Sequence, residues 1–431
     1  MRAGGQLSNI VSDLVKDVYI PRMFKVKQIF ERPFLADEEI KSRITDGLLK
    51  ENITGGIKPG MKIAITAGSR GVANIALVTK TIVEAVKSKG AEPFVIPTMG
   101  SHGGATASGQ KSVLESYGLT EEYLECKIKS SMEVVKIGVN EEGMDVLIDK
   151  FASEADGIIV CNRIKPHTCF RGPYESGLMK MMTIGLGKQA GAEVCHEAGF
   201  KHMAKYIPMF GKVILENTPI ICGIALMENA FDETCKIEVL DPQEIEKREP
   251  ELLEEAKSMM PKILFEECDV LVCDKIGKNY SGGGMDPNIT GTFVTPYASG
   301  GLKSQKVAVL DLSDESHGNG NGIGSSHATT RRFFDKMDFE MTYPNAITST
   351  VVDNVRIPMV MKNDKEAIQV CIRTCNEINK KAPRIIRISN SLDVEHIWLS
   401  EEYYVEAKMN PMLEIKSEPE YFVFDEEGNL F

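Results

Sequence analysis

The sequence predicts an α/β protein, built as two α/β domains with mainly parallel sheets and an active-site cleft between them. Short apolar runs alternate with amphipathic stretches along the chain, the pattern of strands interleaved with helices. Residues 62–98 read as one complete strand–loop–helix–strand unit, and a second series of such runs begins after residue 266. At 431 residues the chain is also too long for a single hydrophobic core.

KIAIT (62–66) is the first strand, AGSRGVAN its exit loop, and IALVTKTIVEAVKSKG a helix closed by Gly90. A glycine just past a helix supplies the left-handed residue that ends it. PFVIPT (93–98) follows at once, and a right-handed crossover makes the two strands parallel, with ligand loops at their carboxyl ends. Further strands are expected at GIIVC (157–161), KVILE (212–216) and PIICGIAL (219–226). The charged stretch 241–264 reads as helical and interrupted at Pro250, because proline removes a helix hydrogen bond. CDVLVCDKIG, KVAVLDL, TSTVV and RIPMVM, with the helix NDKEAIQVCIRTCNEI, form the second set. Residues 1–265 are therefore assigned to a catalytic and cofactor domain and 266–399 to a second α/β domain. The tail 400–431, with a strand-like YFVF, is expected to dock back on the first.

Composition excludes several classes. With 42% apolar and 26% charged residues the chain is ordinary globular material. A net charge of −12 opposes nucleic-acid binding, which needs a basic face. There is no apolar run of membrane-spanning length, and the N-terminus lacks the apolar core of a secretory signal. Ten scattered cysteines without a CxxC pair read as buried, reduced thiols. A cytoplasmic protein acting on a small molecule is the expectation, with no membrane partner; a homo-oligomer is compatible with the sequence.

The chemistry-bearing residues fall at strand exits. GSRG (68–71) offers backbone N–H groups to an anion, and Arg70 adds a planar fork suited to a carboxylate or phosphate. His102, in SHGGATASGQ, follows the next strand, with two glycines that admit a ligand. His167, in KPHT, follows a third. Histidine titrates near neutrality and ligates metals, so these placements suggest acid–base or ligand work. Lys180, flanked by Met179, Met181 and Met182, is expected to be partly desolvated and nucleophilic, with Lys188 as its rival. His196 lies sixteen residues after Lys180. In the second half, 274–291 offers Lys278, Asn279, Asp286 and Asn288 from a Gly-rich loop, and 316–327 offers His317 and several asparagines. Read without a family, His102, His167 and His196 could also hold zinc in a hydrolase or lyase. A non-catalytic cofactor or ligand carrier is the third reading.

The ordered series Arg70, His102, His167, Lys180 and His196 resembles the nickel-pincer lactate racemase (LarA) family. The resemblance implies an isomerase that inverts C2 of a 2-hydroxy acid by hydride transfer. Its cofactor would be a nickel-pincer nucleotide, pyridinium-3,5-bisthiocarboxylic acid mononucleotide carrying Ni, tethered to Lys180 and made by separate maturation enzymes. It implies His196 as the nickel ligand, His102 and His167 as the acid–base pair, and Arg70, with Lys278 or Lys303, on the substrate carboxylate. Gly68 and Ser69 are assigned to cofactor binding. Ala67 and Gly71 stand where the lactate enzymes carry Asp and Pro, and Gly103–Gly104 where they carry Arg-Pro. The expected substrate is therefore a larger or polyhydroxylated acid, such as a sugar acid, whose extra hydroxyls meet the asparagine-rich loops.

Overall fold

The computed structural model describes residues 9–69 and 71–431. The chain divides into two compact units, one spanning Glu31–Met260 and the other Pro261–Phe431 together with the segment up to Phe30. Both are α/β with mainly parallel sheets.

The Glu31–Met260 unit holds a six-stranded sheet in the order Lys127–Ile128, Glu92–Pro97, Lys62–Ala67, Gly157–Arg163, Ile220–Glu228, Thr234–Leu240. All neighbours are parallel except the last pair. Side chains alternate between two cores, as the period of two requires. Ala64, Phe94, Ile96, Ile158 and Val160 enter one, and Ile63, Ile65, Val95, Ile159 and Cys161 the other. Helices cover both faces, so the central strands can be apolar throughout. From Lys62–Ala67 the chain runs outward through Glu92–Pro97, then crosses back to place Gly157–Arg163 on the opposite side. That reversal is the switch point of the sheet, whose carboxyl ends are the preferred ligand position in open α/β sheets.

The second unit carries an eight-stranded sheet in the order Met359–Met361, Ala328–Thr330, Lys303–Leu312, Glu267–Ile276, Ile385–Ile388, His396–Ser400, Met23–Gln28, Leu413–Ile415. The first five strands are parallel and the rest antiparallel. Met23–Gln28 pairs on both edges, with His396–Ser400 and Leu413–Ile415, which draws the start of the chain into this sheet. Among the described residues, 9–30 group with the second unit, whereas the sequence reading assigned 1–265 to the first. The tail docks there too, through Leu413–Ile415 and the Met23–Glu420 bridge, rather than on the first unit.

Other expectations also change. KVILE lies inside the helix Met203–Asn217, where Met203, Ile207, Phe210 and Ile214 bury one face at helical spacing. Five residues are too short a window to separate that period from a strand. Pro250 sits within an unbroken helix, Pro242–Met259. The carbonyl it frees, that of Glu246, accepts the Tyr174 hydroxyl at 2.6 Å. TSTVV ends a helix rather than forming a strand, since Phe339–Ser349 terminates at Thr350 in the left-handed region (φ 61°). YFVF forms no strand; Phe422 packs against the apolar cluster of Val270 and Ile368. Among the described residues no helix is long and apolar enough to cross a membrane.

Candidate active site

The strand exits of the Glu31–Met260 unit carry most of the sequence-derived candidates. After Gly157–Arg163 the chain makes a loop closed by backbone hydrogen bonds between Lys165 and Ser176 (2.9 and 3.1 Å). Inside that loop the Glu175 carboxylate is wholly buried and accepts the His167 N–H at 2.7 Å. Arg171 and Lys257 flank it, each at 3.2 Å, so the buried charge is compensated on two sides. Arg171 also donates to the His167 carbonyl at 2.6 Å. The backbone of His167 is thus held at both its donor and its acceptor.

The His167 ring accepts the Cys169 N–H on Nδ1 at 3.1 Å. In the neutral ring this leaves the proton on Nε2. Phe170 lies 4.5 Å from it, centroid to centroid, and Phe200 lies 6.0 Å away. Phe200 stacks in turn on His196 at 5.7 Å.

Lys180 closes a short helix, Leu178–Lys180, and leads into a π-helical turn, Met181–Leu186. Such turns are rare and concentrate at functional sites. The next helix, Lys188–Glu197, carries His196 in its last turn. Met179, Met181 and Met182 are buried while Lys180 is half-buried, so the methionines fill the core beneath the lysine. The Lys180 charge reaches both imidazoles. Burial first, and that cation second, hold His167 well below the usual imidazole value and push His196 down to about 4. Both rings are therefore neutral at physiological pH. The same two influences oppose each other at Cys169 and Cys195, where burial raises the thiols.

His102 belongs to the exit of Glu92–Pro97, on the other side of Lys62–Ala67. Its Nδ1 meets Ser69 Oγ at 2.5 Å, and Tyr117 donates to the Ser69 carbonyl at 3.0 Å. A hydroxyl can accept or donate, so either His102 tautomer is available. Gly103 has φ 66°, and a Cβ there would lie 2.7 Å from Gln110 N; only glycine fits. Gly68 and Ser69 lie in the exit loop ahead of the helix that begins at Ile75. Gly68 faces the turn that follows Lys180, since a Cβ there would sit 3.1 Å from Met181 Cε. Arg70 lies outside the described residues.

Lys188, the rival tether, is wholly buried against Asp149 at 2.9 Å. Its ammonium also donates to Pro97 O and to Gln110 Oε1. In the second unit, Lys278 donates to Gly282 O at 2.7 Å, and Asn321 shares that carbonyl at 3.0 Å. Asn279 accepts the Ser313 hydroxyl, and Asn288 caps onto Asp286. These amides hold their own loops. Among the described residues no three His, Cys, Asp or Glu side chains gather as a metal-holding group. His102, His167 and His196 do not form a zinc site as they stand.

Sequence reasoning singled out His102, His167, Lys180 and His196 as candidates and did not single out Glu175, Glu249, Gln110 and Asp149, which the structure places against them or their neighbours. Glu249, from the helix Pro242–Met259, accepts the Met179 N–H at 2.9 Å and so caps the helix that carries Lys180.

Fold and site together define an α/β protein with a histidine–lysine cluster at the switch point of its sheet. The lactate racemase N-terminal domain model matches residues 15–206. The structure resembles that of the lactate racemase apoprotein from Thermoanaerobacterium thermosaccharolyticum, with a TM-score of 0.50 and 14% identity, over 78% of this chain and 83% of that one. No curated protein sequence matches. Over residues 15–206 the chain is similar to the lactate racemase N-terminal domain, and its fold is similar to that of the lactate racemase apoprotein.

Proposed function

We propose that this protein is a racemase or epimerase that inverts C2 of a 2-hydroxy acid. The reading is carried by one observation: the His167 and His196 rings lie 6.0 and 5.7 Å from the Phe200 ring, and the segment that joins Lys180 to His196 runs through one π-helical turn into one helix.

The residues fit the nickel-pincer nucleotide of the family. A neutral imidazole is the metal-ligating form, which suits His196 to nickel. With no protein-only metal cluster among the described residues, the ion would rest mainly on an organic group tethered at Lys180. When bound, that group supplies the hydride acceptor.

The chain's own residues handle the proton and the carboxylate. With Ser69 accepting an Nδ1 proton, His102 carries its lone pair on Nε2, the form that takes a proton from the substrate hydroxyl. His167 starts with its proton on Nε2, so it serves first as a hydrogen-bond donor to the substrate oxygen. To act as a base for the opposite enantiomer it must give up the Cys169 bond. Arg70 would hold the carboxylate, and Gly68 and Ser69 would lie against the nucleotide.

The test is intact mass and peptide mapping of the chain co-produced with the maturation enzymes. A nucleotide-sized addition on the Lys180 peptide is the expected result. An unmodified Lys180, in a host that modifies a known racemase, overturns the reading. Chiral analysis of lactate and of sugar acids then assigns the substrate, with sugar acids expected to be inverted faster.

A further inference from the structure

Lys188 is the most completely buried cation among the described residues of the Glu31–Met260 unit, with no exposed side-chain surface, and the proposed reaction leaves it unused. Its ammonium donates to Gln110 Oε1 at 3.2 Å and to the Pro97 carbonyl, and pairs with the Asp149 carboxylate, whose Oδ2 lies at 2.9 Å. An ammonium has three N–H donors and no acceptor, so two of the three are committed to groups that border the His102 loop.

The far side of Gln110 shows what this arrangement holds. Its amide nitrogen donates to Gly100 O at 2.8 Å and to His102 O at 3.2 Å. Lys188 can only donate, so it dictates which end of the Gln110 amide faces it and which end grips the His102 loop. Pro97 ends the strand that leads into the same loop. Lys188 itself begins the helix that carries His196, in the left-handed region at φ 54°, directly after the π-helical turn. A β-branched or bulky residue is strained there, and the conformation persists because the buried ion pair fixes it.

We propose that Lys188 is a positioning residue for His102: acting through Gln110 and Pro97, it sets the backbone of the His102 loop from the helix that bears His196. The proposal rests on the reading of His102 as an acid–base group. A merely structural ion pair would stabilise the fold but leave the His102 ring indifferent to its loss.

The test separates these. Lys188→Met leaves Asp149 buried and unpaired and is liable to unfold, so Lys188→Met/Asp149→Asn is made beside it, together with Gln110→Leu. The ring nitrogens of histidine are followed by ¹⁵N NMR on the full chain without cofactor, with His102 assigned through His102→Gln. Both the double variant and Gln110→Leu are expected to move the His102 signals in the same direction while those of His202 stay. In cofactor-loaded protein kcat is expected to fall about 10–100-fold, with KM within about twofold and the Lys180 adduct unchanged, as for a misplaced base. A folded double variant whose His102 signals match the wild type overturns the positioning role. If wild-type protein inverts no hydroxy acid, the racemase reading fails, and the NMR result still decides whether Lys188 sets His102.

Discussion

His102 and His167 stand at strand exits on either side of Lys62–Ala67 and face different partners. A backbone N–H meets Nδ1 of His167, whereas a hydroxyl, which can donate or accept, meets Nδ1 of His102. Each is proposed as the base for one enantiomer, so His102→Gln and His167→Gln are each expected to lower kcat by about 10²–10⁴-fold, because glutamine cannot take a proton. Steady-state kinetics in both directions on loaded protein checks this, and wild-type turnover in either variant would remove that residue from the acid–base pair. The order Arg70–His102–His167–Lys180–His196 was legible because each residue stands in a local motif of glycines or at a strand end. Glu175, Lys257, Gln110 and Asp149 were not. Each is an ordinary charged or amide residue whose role arises from a partner elsewhere in the chain, as with Lys188 and Asp149 thirty-nine residues apart.

The helices around Lys180 show how a proline or a carboxylate is tolerated once its neighbours supply what is missing. Tyr174 covers the carbonyl freed by Pro250, so one continuous helix delivers both Glu249 and Lys257 to the site. Glu249 is wholly buried, and burial pushes it up to about 8 although the Met179 and Leu178 N–H groups favour its charged form. A carboxyl raised in the folded state holds its proton longer there than in the unfolded chain. Its stabilising contribution is thus complete below about pH 4.5 and falls as pH rises towards about 8. Glu249→Gln is expected to flatten this fall, read as a smaller difference between urea midpoints at pH 5 and pH 8. A variant with the wild-type pH dependence would show that Glu249 is not the titrating group. Gly177 meets the same carboxyl: a Cβ there would sit 2.0 Å from Glu249 Oε1 and 2.8 Å from Ile164 Cδ1. Gly177→Ala should cost about 1–3 kcal/mol, seen as a lower Tm, since overpacking a buried contact strains both partners. An unchanged Tm would contradict that packing.

The two units differ in how the chain builds them. Glu31–Met260 is continuous, with its own six-stranded sheet and cores on both faces. Expressed alone it is expected to unfold cooperatively in urea. Pro261–Phe431 lacks Met23–Gln28, the strand between His396–Ser400 and Leu413–Ile415, and without it those two strands face an empty place in the sheet. That fragment should unfold without a cooperative transition, and fusing residues 1–30 to it should restore one; circular dichroism distinguishes the outcomes. A cooperative transition in the bare fragment would refute the dependence.

The α/β class, the central parallel strands, the helix closed by Gly90 and the series of candidate residues followed from local pattern alone. Strand and helix periods and turn glycines act over a few residues, and such signals survive in one dimension. The return of the first strand to the far half, the docking of the tail there, the burial of Lys188 and the Nδ1 partners of His102 and His167 did not follow. Each depends on hydrogen bonds and ion pairs between segments distant in sequence, and no local periodicity encodes which distant partner a polar group will meet.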